Sequence, residues 1–159
     1  MRAEAACHAA PVTPTVADVA AALRRVAGEC GEDVLPGASD EEIAALVRRV
    51  AGLGATVPAD HLALLRDQDG FEADGLRVFG TTARRLTQGA VLPALDDVAR
   101  DVEGGELEEH LVLAQGSNAL YAVHRRSGAF HELDVVPGQV LAVHPDLATL
   151  LMTAVGTRA

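Results

Sequence analysis

Apolar residues recur along this chain first at helical spacing and later in short extended runs. Val16, Val19, Ala20, Leu23, Val26 and Ala27 fall on one helical face, and Thr15 with Asp18 gives a capping-box pattern at its start. Gly28 is expected to end this helix. The acidic segment 29–40 holds Gly31, Pro36 and Gly37 and reads as a loop. Ser39 and Glu42 form a second capping box, and Ile43, Leu46, Val47 and Val50 lay an apolar stripe along a helix closed by Gly52. Pro58 suits the first position of a third helix carrying Leu62, Leu64 and Leu65, with Asp69-Gly70 as its stop. The polar run to Asp74-Gly75 then reverses the chain into an extended segment, 76–79.

Residues 81–89 are polar and basic, with Arg84 and Arg85, and read as an exposed connector. Pro93 opens a helix whose buried face is Leu92, Leu95, Val98, Ala99 and Val102, ending at Gly104-Gly105. Strands are expected over 111–114 and 120–124, separated by a Gly116-Ser117-Asn118 turn. Arg126-Ser127-Gly128 fits a three-residue hairpin loop, which pairs Arg125 with Ala129 and Tyr121 with Leu133. After a Pro137-Gly138 turn come a short strand, 139–143, and a terminal helix opened by Pro145, with Leu147, Leu150 and Leu151 inward. The order predicts an α+β fold: a mostly antiparallel sheet of about four to six strands with helices packed around it. Residues 1–14, Ala-rich and ending in Pro-Val-Thr-Pro, are expected to form a flexible arm, and 15–159 a single domain.

Composition narrows the function. The chain has 159 residues and is 49% hydrophobic, enough for one core, but only 3% aromatic with no Trp, so no platform for stacking bases or sugars is expected. A formal charge of −10 opposes phosphate binding and suits a basic protein partner, so no nucleic acid is expected. All 13 basic residues are arginine, which reads as coding bias. Cys7 and Cys30 have no ligand or disulfide spacing, and no apolar run approaches a membrane span; a soluble, cytoplasmic protein is the expectation.

Two acidic stretches are candidates for partner binding. One holds Asp67, Asp69, Glu72 and Asp74, the other Asp96, Asp97, Asp101, Glu103, Glu106, Glu108 and Glu109 against a single Arg100. The first fails as a calcium loop: with Gly70 in the obligatory glycine position, the first and closing ligands fall on Leu65 and Leu76. Six histidines, His8, His61, His110, His124, His131 and His144, contain no i, i+4 pair. The three-residue loop puts His124 opposite Phe130 and His131 opposite Val123, on different sheet faces, whereas a two-residue Ser127-Gly128 loop would make the two histidines neighbours and leave a zinc reading open. Gly116-Ser117-Asn118 lacks the second glycine of a nucleophile elbow, and Gly52-x-Gly54 lacks the third glycine of a dinucleotide loop. No catalytic residue, metal ligand or cofactor is assigned, and no enzyme is expected.

The segment 57–80 carries a resemblance. Pro58, Asp60, His61, Leu64, Leu65, Asp69, Gly70, Gly75, Leu76, Val78, Phe79 and Gly80 resemble the pattern of the SUKH superfamily, in its YrhA-like branch, with His61 where an aromatic is usual and Asp69 where Asn is commoner. The likeness continues more loosely to about residue 150. It implies a non-catalytic protein-binding domain and, most directly, an immunity protein that occludes a secreted or contact-dependent toxin such as a nuclease. The alternative it implies is a regulatory or scaffolding adaptor with an endogenous partner, as in the related fungal cell-wall regulators; a metal-dependent enzyme ranks third.

Overall fold

The computed structural model describes residues 10, 12–102, 104–136 and 138–156, and in it both capping boxes form. Thr15 Oγ1 accepts the Asp18 N–H at 3.2 Å while the Asp18 carboxylate accepts the Thr15 N–H at 2.7 Å, which starts α1 (Val16–Cys30). This helix runs through Gly28 and stops one turn later at Gly31, whose φ of 69° supplies the left-handed cap. Burial of Val26 and Ala27 outweighs the roughly 1 kcal/mol that a glycine costs within a helix. The second box starts α2 (Asp40–Gly52).

Pro58 caps α3 (Ala59–Asp67), and Gln68, already extended, ends it before Gly70. Gly70 is left-handed for another reason: a Cβ there would sit 3.0 Å from Leu92 Cδ2 and 3.3 Å from the Val78 carbonyl, so the chain passes close beneath both. Strands β1 (Phe71–Ala73) and β2 (Leu76–Val78) meet through Asp74-Gly75, with φ of 49° and 78°. That two-residue turn matches the twist of a hairpin, and its Asp-Gly dipeptide signalled a strand on each side. Only the second strand was expected.

Residues 81–89 are not simply an exposed connector. Thr81 is fully buried, and β3 (Arg84–Arg85) pairs with β4 (Val91–Leu92) in a small separate hairpin. The chain continues as α4 (Leu95–Asp101), β5 (His110–Gln115), β6 (Ala119–His124), β7 (Phe130–Asp134), β8 (Val140–His144) and α5 (Leu147–Gly156). Asp146, not Pro145, starts the last helix, its carboxylate accepting the Thr149 N–H at 2.7 Å.

The main sheet has six strands in the order β1-β2-β5-β6-β7-β8, with every neighbouring pair antiparallel. The fold is therefore α+β, with five helices among the described residues against a mostly hairpin-connected sheet. Helix α1 packs on α3 and α5, α5 lies against β6, β7 and β8, and α2 reaches α4, which covers β5. Leu23, Leu46, Leu65, Leu111, Leu133 and Leu147 are among the fully buried side chains that join these layers, each contributing about 1.5–3 kcal/mol of burial. Among the described residues no helix is long and apolar enough to cross a membrane. Most of the expected flexible arm, residues 1–9 and 11, lies outside the described residues.

Candidate functional site

The segment 57–80 folds into a bracket held by buried polar groups. His61 is fully buried on α3, with Nε2 3.0 Å from the Phe79 carbonyl. A carbonyl only accepts, so Nε2 carries the proton and Nδ1 is left buried without a partner. Burial pushes the His61 pKa down to about 4, against the raising effects of the Phe79 carbonyl and the Asp69 charge. Asp69 Oδ1 accepts the Thr81 N–H at 2.7 Å, and Oδ2 accepts the Thr81 hydroxyl at 2.5 Å and Arg84 Nη2 at 2.7 Å. Gly80 is pressed against this carboxylate: a Cβ there would come within 2.5 Å of Asp69 Oδ1.

Thr81 connects this bracket to the second acidic stretch. Its carbonyl accepts Arg49 Nη2, while Arg49 Nε donates to Asp96 at 2.9 Å and Arg100 Nη1 lies 2.9 Å from the same carboxylate. Burial works to raise the Asp96 carboxyl, but the Arg49 hydrogen bond and charge, with Arg100 adding to them, hold it below its ordinary value. Asp69 and Asp96 are 1% and 3% exposed, so these two expected partner-binding residues are corrected to internal anchors. Their burial was hidden in the sequence because their partners, Arg49, Thr81 and Arg84, come from other elements.

The remaining carboxylates form two surfaces. In the first, Asp67 pairs with Arg24 and Glu72 with Arg77 at 3.2 Å, and Asp74 is exposed on the β1–β2 turn. Glu32 joins Glu72 and Asp74 around a hollow of about 180 Å³ also lined by Leu86 and Gln88. Asp33, from the same connector and bonded to the Thr87 hydroxyl at 2.7 Å, lines a second hollow that shares Glu32, Glu72 and Leu86. Glu32 and Asp33 were not singled out as site residues, although the acidity of 29–40 was visible.

The second surface follows α4. Asp97 caps the helix by accepting the Ala94 N–H at 3.3 Å, and Asp101, Glu106, Glu108 and Glu109 are exposed; Glu103 lies outside the described residues. Beside them Val102, Leu107, Val135, Val136 and Gly138 line a groove of about 250 Å³ with Glu106 at its edge. Val136 is 77% exposed, an apolar side chain with unusually little cover.

The histidines assemble differently from expectation. Ala122 pairs with His131 and Val123 with Phe130, a register one residue away from the three-residue loop and different again from the two-residue one. The loop has four residues, closed by the His124 N–H to the Ala129 carbonyl at 2.8 Å and the Gly128 N–H to the His124 carbonyl at 2.9 Å. Arg125 is drawn into the loop because its guanidinium donates to the Leu53 carbonyl at 2.9 Å. Tyr121 thus faces Glu132, not Leu133. The slip places His124 and His131 on one face of the sheet, and His110, paired directly with His124 on β5, joins them. His144 lies on the other face, 3.4 Å from Glu132.

No family model matches the chain, and no curated protein shows significant similarity to it.

Proposed function

We propose that this chain is a non-catalytic protein-binding domain of the SUKH type, acting in the cytoplasm as an immunity protein that occludes a cognate toxin. The likeness of 57–80 to that superfamily supports the class of function. The observation that carries the placement of the interface is the surface after α4. Glu106 edges an apolar groove whose lining residues Val102 and Leu107 are flanked in the chain by the exposed Asp101 and Glu108, and the helix that carries Asp97 and Asp101 is fixed from below by the Asp96–Arg49 pair. Exposed carboxylates beside an apolar hollow suit a basic surface that inserts one apolar side chain: charges steer the encounter and the groove holds the anchor. The Glu32, Glu72 and Asp74 hollow is the second acidic contact in this reading.

Co-expression with the product of the adjoining gene tests the proposal. The expected result is that this product arrests growth alone, that the chain restores growth, and that the two purify as a stable complex. A toxic neighbour that is neither bound nor relieved contradicts the immunity reading. A harmless neighbour that forms a complex favours the adaptor reading instead.

A further inference from the structure

His110, His124 and His131 stand on three consecutive strands and meet over a single small residue. Ala122, paired with Val112 on one side and His131 on the other, offers only a methyl group to keep His110 and His131 apart, and their Nε2 and Nδ1 atoms approach to 2.9 Å. The ring centroids are 5.1, 5.2 and 5.8 Å from one another. His124 Nε2 faces the Glu109 carboxylate at 3.6 Å, while its Nδ1 lies 3.1 Å from the Ser127 hydroxyl.

This arrangement is poor as plain packing. His110 is 8% exposed and its Nδ1 has no hydrogen-bond partner, so the cluster is a half-satisfied polar network where an apolar residue would serve stability better. Its spacing suits another purpose. Three imidazoles on one tetrahedral ion, each nitrogen about 2.0–2.1 Å from the metal, have centroids about 5.2 Å apart and nitrogens about 3.3 Å apart. We propose that His110 Nε2, His131 Nδ1 and His124 Nε2 form a site for a borderline transition metal such as zinc, with Glu109 as the fourth ligand.

Among the described residues no three donor side chains stand ready to hold an ion, so the rings must turn to reach one. His110 and His131 share a proton at hydrogen-bond distance, and the Ser127 N–H donates to His124 Nδ1 at 3.2 Å, which favours the proton on Nε2. Binding moves each ring proton to the nitrogen away from the metal, so no proton need leave three neutral rings. Once it carries the proton, His124 Nδ1 gives up the Ser127 N–H and donates instead to the Ser127 hydroxyl, an outer partner of the kind that orients metal-bound histidines.

Calorimetric titration of the full chain with zinc, and visible spectroscopy with cobalt, test the site. The expected result is one ion per chain and the intense d–d absorption of tetrahedral cobalt. His131→Gln and His124→Gln should each weaken binding roughly 100-fold, while His144→Gln, on the opposite face, leaves it unchanged. The cobalt spectrum needs no variant, so a misfolded substitution does not remove the test. Absence of stoichiometric binding, an octahedral cobalt spectrum, or zinc binding that survives either His131→Gln or His124→Gln would overturn the proposal.

Discussion

His61 shows how much one side chain can set at the residue scale. Its folded pKa of about 4 lies below the ordinary 6.5, so between those values the unfolded chain takes up a proton that the folded chain refuses. Its contribution is therefore complete above about pH 6.5 and is lost as pH falls towards 4, by roughly 3 kcal/mol across that window. Urea unfolding of wild type and His61→Phe in metal-free buffer checks this. The variant should lose most of the dependence in that window, and an unchanged slope would contradict the assignment. The resemblance put His61 where an aromatic is usual, and it is fully buried on the helix. Its bond to the Phe79 carbonyl was not legible, because it joins residues on two elements whose relative position follows from packing. The same holds for Asp69 and Asp96, which look identical in sequence to Asp67 and Asp97 yet lie inside.

At the scale of elements, local signals were read well and relations between elements were not. Capping boxes at Thr15 and Ser39 are contained within four residues, so they were visible and they form. The β6–β7 register depended on whether Arg125 belongs to a strand or a loop, and its bond to Leu53, far away in the chain, decides that. The one-residue slip in turn decides that three histidines share a face. Glycines divide in the same way. Gly28, expected to stop α1, lies in the helix with open space around its Cα, so Gly28→Ala should stabilise by up to about 1 kcal/mol. Gly37 looked like an ordinary loop residue, yet a Cβ there would fall 1.9 Å from the Arg66 carbonyl oxygen. On either side of it the Ala38 N–H bonds to the Leu65 carbonyl at 2.8 Å and the Asp69 N–H to the Pro36 carbonyl at 2.9 Å, binding the connector to the end of α3. Gly37→Ala should cost about 3 kcal/mol or more. Denaturant midpoints of the two variants, moving in opposite directions, are the check.

For the whole molecule, the net charge of −10 is distributed in two roles. Asp69 and Asp96 tie α2, α3, α4 and the β3–β4 hairpin together through arginines, whereas Asp101, Glu106 and Glu108 remain exposed beside the apolar groove. Composition anticipated a basic partner but had no means of separating these roles. The proposal requires that they separate cleanly. Asp96→Ala leaves Arg49 and Arg100, both part-exposed, without their shared carboxylate and should destabilise by about 1.5–3 kcal/mol, whereas reversing the exposed charges should leave stability within about 1 kcal/mol. The most direct measurement is the affinity of wild type and the D101R/E106R/E108R triple variant for the partner captured by co-expression, at low and high salt, alongside thermal melts. The expected result is binding weakened roughly tenfold or more at low salt, a gap that narrows as salt rises, and unchanged melting. Equal affinity with the same salt dependence in both proteins would contradict an interface on this surface.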